Sequence, residues 1–343
     1  MAIPPIKNWL NFTLLVAGCC LALYVLFGTS VLQGFRSAGK TRLDDEKKKL
    51  KADALTQVGV VKDRRLTEIS GIDSSLKYPD CYWVHNDSGN PAELFLISES
   101  GHTLAKVSLK GAVNVDWEDI SVCTLVGKPY ICVADVGDNQ AKRERSQLYL
   151  LEEPDLVLPS LANATNEAED SPVAVEVEIE DFQKLEFRFA GGPRNCEAMA
   201  IDGRHRSIFL FEKARDNDQD KKPIGVYKLR LLQDDLSLLS DVAKRIAVAT
   251  DRITTGADMH SDGKNLLTCN YVLGSRYTRK LAANWERELQ GQESTRFGLP
   301  VQRQGEAICF AADGKSAIVV SEFGNQPIWK IEIGLAIEAS QTQ

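Results

Sequence analysis

Carboxylates recur along this chain at matched places. Short blocks at Leu66-Thr67-Glu68-Ile69-Ser70-Gly71-Ile72, Asp116-Trp117-Glu118-Asp119-Ile120, Asn195-Cys196-Glu197-Ala198-Met199, Thr255-Gly256-Ala257-Asp258 and Gln304-Gly305-Glu306-Ala307-Ile308 each carry an acid at or beside one shared position. Acids gathered at one opening repel each other and raise each other's pKa, so they call for a counter-charge. A hard cation supplies it: Ca²⁺ accepts 6–8 oxygen ligands from carboxylates, amide oxygens and carbonyls. Glu118, Asp119, Asp135, Asp138, Asn139, Glu197, Asp258, Glu306 and Glu322 are the candidate ligands, with Glu68, His85, Asp87 and Glu212 as further rim residues. The competing reading is that acids at strand starts cap turns by accepting backbone N–H bonds.

The elements that would position these groups follow from the spacing. The blocks recur at intervals of 48, 79, 60 and 49 residues, counted at Ser70, Glu118, Glu197, Ala257 and Glu306. Repeats of about this length mark propeller blades. Each block is followed by a turn and a second apolar strand with a polar end, as in Tyr82-Trp83-Val84-His85-Asn86-Asp87 and Tyr130-Ile131-Cys132-Val133-Ala134-Asp135. In an antiparallel hairpin the start of the first strand and the end of the second share an edge. Radial repeats would therefore collect both polar clusters of every unit around one opening. The expected fold is all-β, a β-propeller of five blades, with six as the alternative. The longest interval holds extra strand-like sequence at 173–179 and 184–189, read as an extended outer hairpin on the second blade. Gln57 to Val61 is expected to supply the outer strand of the last blade and so close the ring.

Together these motifs carry a resemblance. The set Trp83-Val84-His85-Asn86-Asp87-Ser88-Gly89, Asp116-Trp117-Glu118-Asp119-Ile120, Val136-Gly137-Asp138-Asn139, Glu152-Glu153-Pro154, Glu197-Ala198-Met199, Thr255-Gly256-Ala257-Asp258, Gln304-Gly305-Glu306-Ala307 and Ser321-Glu322 looks like that of an uncharacterised exported bacterial β-propeller family, over about residues 65 to 333. It is similar more loosely to phytase-like or esterase-like propellers. That wider resemblance implies calcium at the acidic centre and hydrolysis of phosphoesters or esters.

The first 35 residues are of another composition. No charged side chain lies between Lys7 and Arg36, and residues 9–32 are mostly apolar, long enough to cross a hydrocarbon layer as one helix. We read residues 1–35 as a membrane anchor, 36–55 as a charged linker, 56–335 as the propeller and 336–343 as a tail. A cleaved secretory signal is one alternative, and a lipid anchor at Cys19, within Val16-Ala17-Gly18-Cys19, is another. Orientation divides the signals. Arg36, Lys40, Arg42 and Lys47 to Lys49 after the anchor favour a cytoplasmic domain. Cysteine usage and the resemblance favour the extracytoplasmic side, which is the expectation adopted.

A net charge of −7 and a pI near 5.3 argue against nucleic acid as a partner, because phosphate binding needs clustered Lys and Arg. The expected partners are the membrane, through 9–32, and an unidentified protein or small molecule at the opening. Six cysteines lie beyond the anchor without zinc-ligand spacing. If the Cys123/Cys132 hairpin turns at Gly127-Lys128, the two thiols face each other, and a disulfide or a pair of free buried thiols would both fit. His85, Asp87 and Ser88 contain the residue types of a nucleophilic triad but no nucleophile elbow. Two functions stay open: a tethered binding or scaffold module with a structural cation, and a Ca²⁺-dependent hydrolase.

Overall fold

A computed structural model describes residues 55–158, 174–214, 223–249, 251–280, 284–291, 293–302 and 304–333. The expected anchor, most of the linker, Cys19 and the tail lie outside these residues. Among the described residues no helix is long and apolar enough to cross a membrane.

The first described strand, β1 (Leu55–Val61), belongs to the sheet that ends the chain. The next four, β2 (Ile69–Ser74), β3 (Cys81–Asn86), β4 (Glu93–Ser98) and β5 (Thr103–Leu109), form an antiparallel array in chain order. A second array is β6 (Trp117–Leu125), β7 (Lys128–Asp135) and β8 (Ser146–Glu152). Two strands then separate: β9 (Val175–Ile179) runs parallel beside β5 on the first array, whereas β10 (Gln183–Phe189) adds to β8 as the outer strand of the second. The extended outer hairpin expected here is therefore not formed. Its two strands serve different sheets, because the alternating Val-Glu-Val-Glu-Ile of β9 lays its glutamates beside Lys106 and Lys110 of the first array.

A third array comprises β11 (Cys196–Asp202), β12 (Ser207–Glu212), β13 (Gly225–Arg230) and β14 (Val242–Val248), linked to the second by a short parallel pairing of β10 with β14. The fourth is β15 (Gly256–Met259), β16 (Asn265–Cys269) and β17 (Leu273–Thr278), then helix α1 (Trp285–Gly291) and β18 (Thr295–Gly298). In the last, β19 (Gly305–Phe310), β20 (Ser316–Ser321) and β21 (Gln326–Glu332) are completed by β1, with Val61 opposite Gln326 and Leu55 opposite Ile331.

The innermost strands β2, β6, β11, β15 and β19 pack in cyclic order, β19 returning to β2. Almost every residue on them is buried, since both faces meet a neighbouring sheet. Apolar cores fill the spaces between adjacent arrays: Trp83, Leu94 and Leu96 meet Trp117, Ile120 and Ile131, and Ile69, Val84 and Phe95 meet Cys309, Ile318 and Val320. Each such fully buried aliphatic side chain contributes about 2 kcal/mol. This radial stacking of antiparallel arrays, closed through both chain ends, is the architecture of a β-propeller.

One register differs from expectation. The β6–β7 hairpin turns at Val126-Gly127, both at positive φ (44° and 83°), with Leu125 opposite Lys128. Two positive φ values define the type I′ turn that matches strand twist. The one-residue slip sets Cys123 opposite Tyr130 and Cys132 opposite Ser121, and both thiols are free.

Candidate functional site

The inner strands share an irregularity at the residue where the sequence blocks align. Pairing of β6 with β7 skips from Trp117 to Asp119, that of β11 with β12 from Cys196 to Ala198, and that of β19 with β20 from Gly305 to Ala307. The bulged residues are Glu118, Glu197 and Glu306. In β2 the skip falls on Ser70, whereas β15 pairs regularly through Ala257. A β-bulge leaves one residue unpaired, increases the twist and re-aims its side chain. Here it interrupts the alternation of the strand, so that Glu118 turns to the mouth while Asp119 beside it serves the interior.

At the mouth, ligand oxygens of Asp87, Asp116 and Glu118 lie within 4.8 Å of one another. Gly137 backs them closely. A Cβ there would fall 2.0 Å from Glu118 Oε1 and 2.5 Å from Asp116 Oδ2, so a side chain at this position would push both carboxylates out of this arrangement. Glu118 is 4 % exposed, and burial, followed by repulsion from Glu197, Asp87 and Asp116, pushes its carboxyl well up. Burial and Asp87 raise Asp116 to about 6. Asp87 is raised by burial, and then by Glu197 and Glu68. Unbalanced negative charge is concentrated at this point.

The neighbouring half of the mouth carries its own cation. Lys213 Nζ is 2.9 Å from Glu197 Oε2 and 5.5 Å from the ring centroid of Tyr271, whose hydroxyl donates to Glu306 Oε1 at 3.3 Å. Asn195 Nδ2 donates to Glu197 Oε1 at 2.7 Å. Burial, and then Glu322, push Glu306 up to about 8. Glu322 is half-buried and raised by burial, then by Asp87 and Glu68.

Other predicted site residues are committed elsewhere. Asp119 Oδ2 accepts from the amides of Met199 (2.8 Å) and Ala257 (3.1 Å), and Asp258 Oδ2 from that of Phe310 (2.7 Å). Both carboxylates tie inner strands together. Asp135 faces the Arg143 guanidinium at 2.7 Å and accepts from Gln147 Nε2 at 2.6 Å and from the Asp116 amide at 3.1 Å. Asp138 caps the following turn through the amides of Lys142 and Arg143, and Asn139 Oδ1 accepts from Asn195 Nδ2 at 3.2 Å. Glu212 accepts from the Gly225 amide at 2.7 Å, and Glu68 from Asn90 Nδ2 at 2.8 Å. His85, expected on the rim, is fully buried: its ring packs edge-on against Trp117 at 5.6 Å, its Nδ1 lies 3.0 Å from Asn86 O, and burial holds its pKa down at about 4. A strand end flanked by aromatic side chains cannot keep an imidazole in solvent.

Lys213, Tyr271 and Asn195 were not among the expected ligands. Lys213 directly follows β12; the sequence offers it, with Arg194 and Arg276, as a base that faces the opening to hold an anion or as a surface residue, and in the structure it pairs with Glu197. A further buried acid, Glu153, is fully enclosed by Ser75 Oγ (2.5 Å), Trp83 Nε1 (2.8 Å) and the amides of Leu76 and Lys77. It joins the first two arrays on the side away from the mouth.

Fold and site together define a β-propeller with an acidic opening. The sequence matches no protein-family profile and no curated protein. Among solved structures, the chain is similar to a gluconolactonase from Xanthomonas campestris at 10 % identity, over 82 % of this chain and 90 % of that one, with a TM-score of 0.42. It is also similar to the Pan2 WD40 domain of Neurospora crassa at 11 % identity, over 83 % and 98 %, with a TM-score of 0.37. A third is the hydrazine synthase of Kuenenia stuttgartiensis, at 11 % identity over 79 % and 72 %, with a TM-score of 0.36.

Proposed function

We propose that this chain is a binding module, a propeller counted as five blades, whose mouth holds one divalent cation, Ca²⁺ by preference, on Asp87, Asp116 and Glu118. The observation that carries this reading is the convergence of those oxygens within 4.8 Å against the Gly137 backbone. Three carboxylates forced together at a buried bulge repel, and a hard cation that takes carboxylate oxygens relieves them. The ion would organise the mouth for a ligand whose contacts come from the surrounding rim.

A hydrolase of the phytase-like kind calls for basic side chains grouped to receive an anion. The basic groups that act on these acids through space, Lys213 on Asp87 and Arg143 on Asp116, are ion-paired with Glu197 and Asp135, which favours the binding reading. Tethering through residues 9–32, with the propeller on the extracytoplasmic side, belongs to the same proposal, supported by the motif resemblance to exported propellers. Protease accessibility in intact cells tests that side.

Metal analysis of the purified full chain, with melting followed in Ca²⁺ and in chelator, tests the cation. We expect about one retained equivalent and a melting temperature raised by Ca²⁺. No retained divalent ion together with unchanged melting would refute the site.

A further inference from the structure

The strand β9 is the last of its sheet, four strands out from β2, and its outer edge is open. The Ile179 carbonyl accepts from the Lys110 amide at 2.9 Å, which turns the backbone groups of Val175, Val177 and Ile179 towards β5. Backbone direction alternates along a strand, so the N–H and C=O groups of Glu176 and Glu178 point outwards, where no strand among the described residues meets them. Other outer strands are covered there: β10 has β14 beside it, and β1 gives its Val60 amide to Ser100 O at 3.2 Å. On one face of β9, Val175 and Ile179 pack on the core between the first two arrays, which anchors the strand in its sheet.

The other face carries a ladder of charge that alternates strand by strand. Glu93 on β4 meets Lys106 on β5 at 3.2 Å, and Lys106 meets Glu176 on β9 at 3.3 Å. Lys110, just beyond β5, takes Glu178 at 3.1 Å and Glu180 at 2.6 Å, and Arg65 reaches Glu176 at 3.1 Å. The order stops on acids whose side chains stay more than half exposed. The next place in the ladder belongs to a base. A second copy of this chain does not supply it, because antiparallel pairing of β9 with β9 sets glutamate opposite glutamate, and like charges directly opposite are destabilising.

We propose that the outer edge of β9 is a docking site for an extended segment of a partner protein with Lys or Arg at alternate positions. The main chain of that segment pairs with the outward groups of Glu176 and Glu178, which gives affinity, and its side chains give specificity. Its bases continue the ladder beyond the glutamates. Its intervening apolar side chains lengthen the row begun by Val175, Val177 and Ile179. The surface is separate from the mouth and does not depend on a cation there.

The test is fluorescence anisotropy of the full chain, in chelator, with a labelled and end-capped peptide of alternating valine and lysine, set against a matched peptide of alternating valine and glutamate. Glu178→Pro removes an outward N–H and leaves the bonds between β5 and β9 whole, whereas Glu178→Ala keeps that N–H and drops the same charge. Circular dichroism and melting of each variant confirm that a lost signal comes from folded protein. We expect saturable binding of the lysine peptide alone. It should weaken by no more than about fivefold in Glu178→Ala, the size of one exposed ion pair, and by about tenfold or more in Glu178→Pro, which loses a main-chain bond as well. Equal affinities in the two variants would show that charge alone holds the peptide and would overturn the docking strand. So would a folded wild type that leaves the lysine peptide free. Sedimentation velocity completes the test: a dimer of the wild type that Glu178→Pro dissolves would give the edge to a second copy and overturn the basic partner.

Discussion

The carboxylate of Asp119 accepts the backbone N–H of Ala257 at 3.1 Å, on a strand two arrays further round the ring, and the same oxygen accepts that of Met199 at 2.8 Å. Its other oxygen takes the Ile120 amide at 2.9 Å. Asp119 thus fastens three inner strands to one side chain.

Replacing it should act on the fold before it acts on any ligand. Asp119→Asn keeps one carbonyl oxygen for the Met199 and Ala257 amides and sets its NH₂ only against the Ile120 amide, so it should cost about 1 kcal/mol, whereas Asp119→Ala, which leaves all three amides without an acceptor, should cost about 3 kcal/mol. Urea denaturation of both variants decides this. An alanine variant as stable as the wild type would show that Asp119 is not the fastener.

The acid-rich interior also sets a pH dependence. Asp116 and Asp258 are raised to about 6, in both cases first by burial, and Glu306 to about 8 by burial and then Glu322. A carboxyl that holds its proton more tightly when folded stabilises the fold fully below its unfolded pKa of about 4, and that contribution is lost as pH rises through the folded value. In chelator, melting temperature should therefore decline from pH 5 to pH 8. Ca²⁺ should flatten the decline by replacing the proton on Asp116. A melting temperature that climbs across this range in chelator would contradict the burial of these groups.

Among the acids, Asp116 and Asp138 should separate cleanly. Asp116→Asn, or Gly137→Ala, which drives a methyl group into Glu118, should abolish the Ca²⁺ shift in melting. Asp138→Ala removes a turn cap worth about 1 kcal/mol and should leave that shift in place. Equal loss of the shift in Asp116→Asn and Asp138→Ala would move the ion away from Asp87, Asp116 and Glu118.

The β6–β7 turn offers a gain. Val126 is β-branched at φ 44° and half-exposed, a conformation that asparagine adopts with less strain. Val126→Asn should stabilise the domain by about 1 kcal/mol, read as a higher urea midpoint. An unchanged midpoint would mean that the valine carries no strain there.

Much of this molecule was readable before its structure, and the misreadings have causes in particular residues. The ring closure by β1 was legible because Gln57 to Val61 alone stood ready to complete the last array. The alignment of Ser70, Glu118, Glu197, Ala257 and Glu306 was legible as a repeat, but the bulges at four of these positions were not, since inner strands buried on both faces carry no alternation for a bulge to break. Val126 misled because a β-branched residue is a poor choice for positive φ, so the turn was set one residue late and the cysteines were brought opposite each other. The acids divided into mouth and interior for a reason visible only in space: Asp119 and Asp258 find unpaired amides on neighbouring inner strands, whereas Asp87, Asp116 and Glu118 find one another.

The pairing of β1 with β21 bears on how the chain is made. Synthesis delivers β1 before any other described strand and its partner last, so β1 must wait, unpaired along that edge, while the intervening arrays fold against one another. The ring becomes a ring only once β21 has been made, when the longest-range strand pairing among the described residues forms. A ribosome that stalls before β21 leaves a stack of folded arrays with two open faces, and those faces are built from the same apolar side chains that otherwise hold β2 against β19.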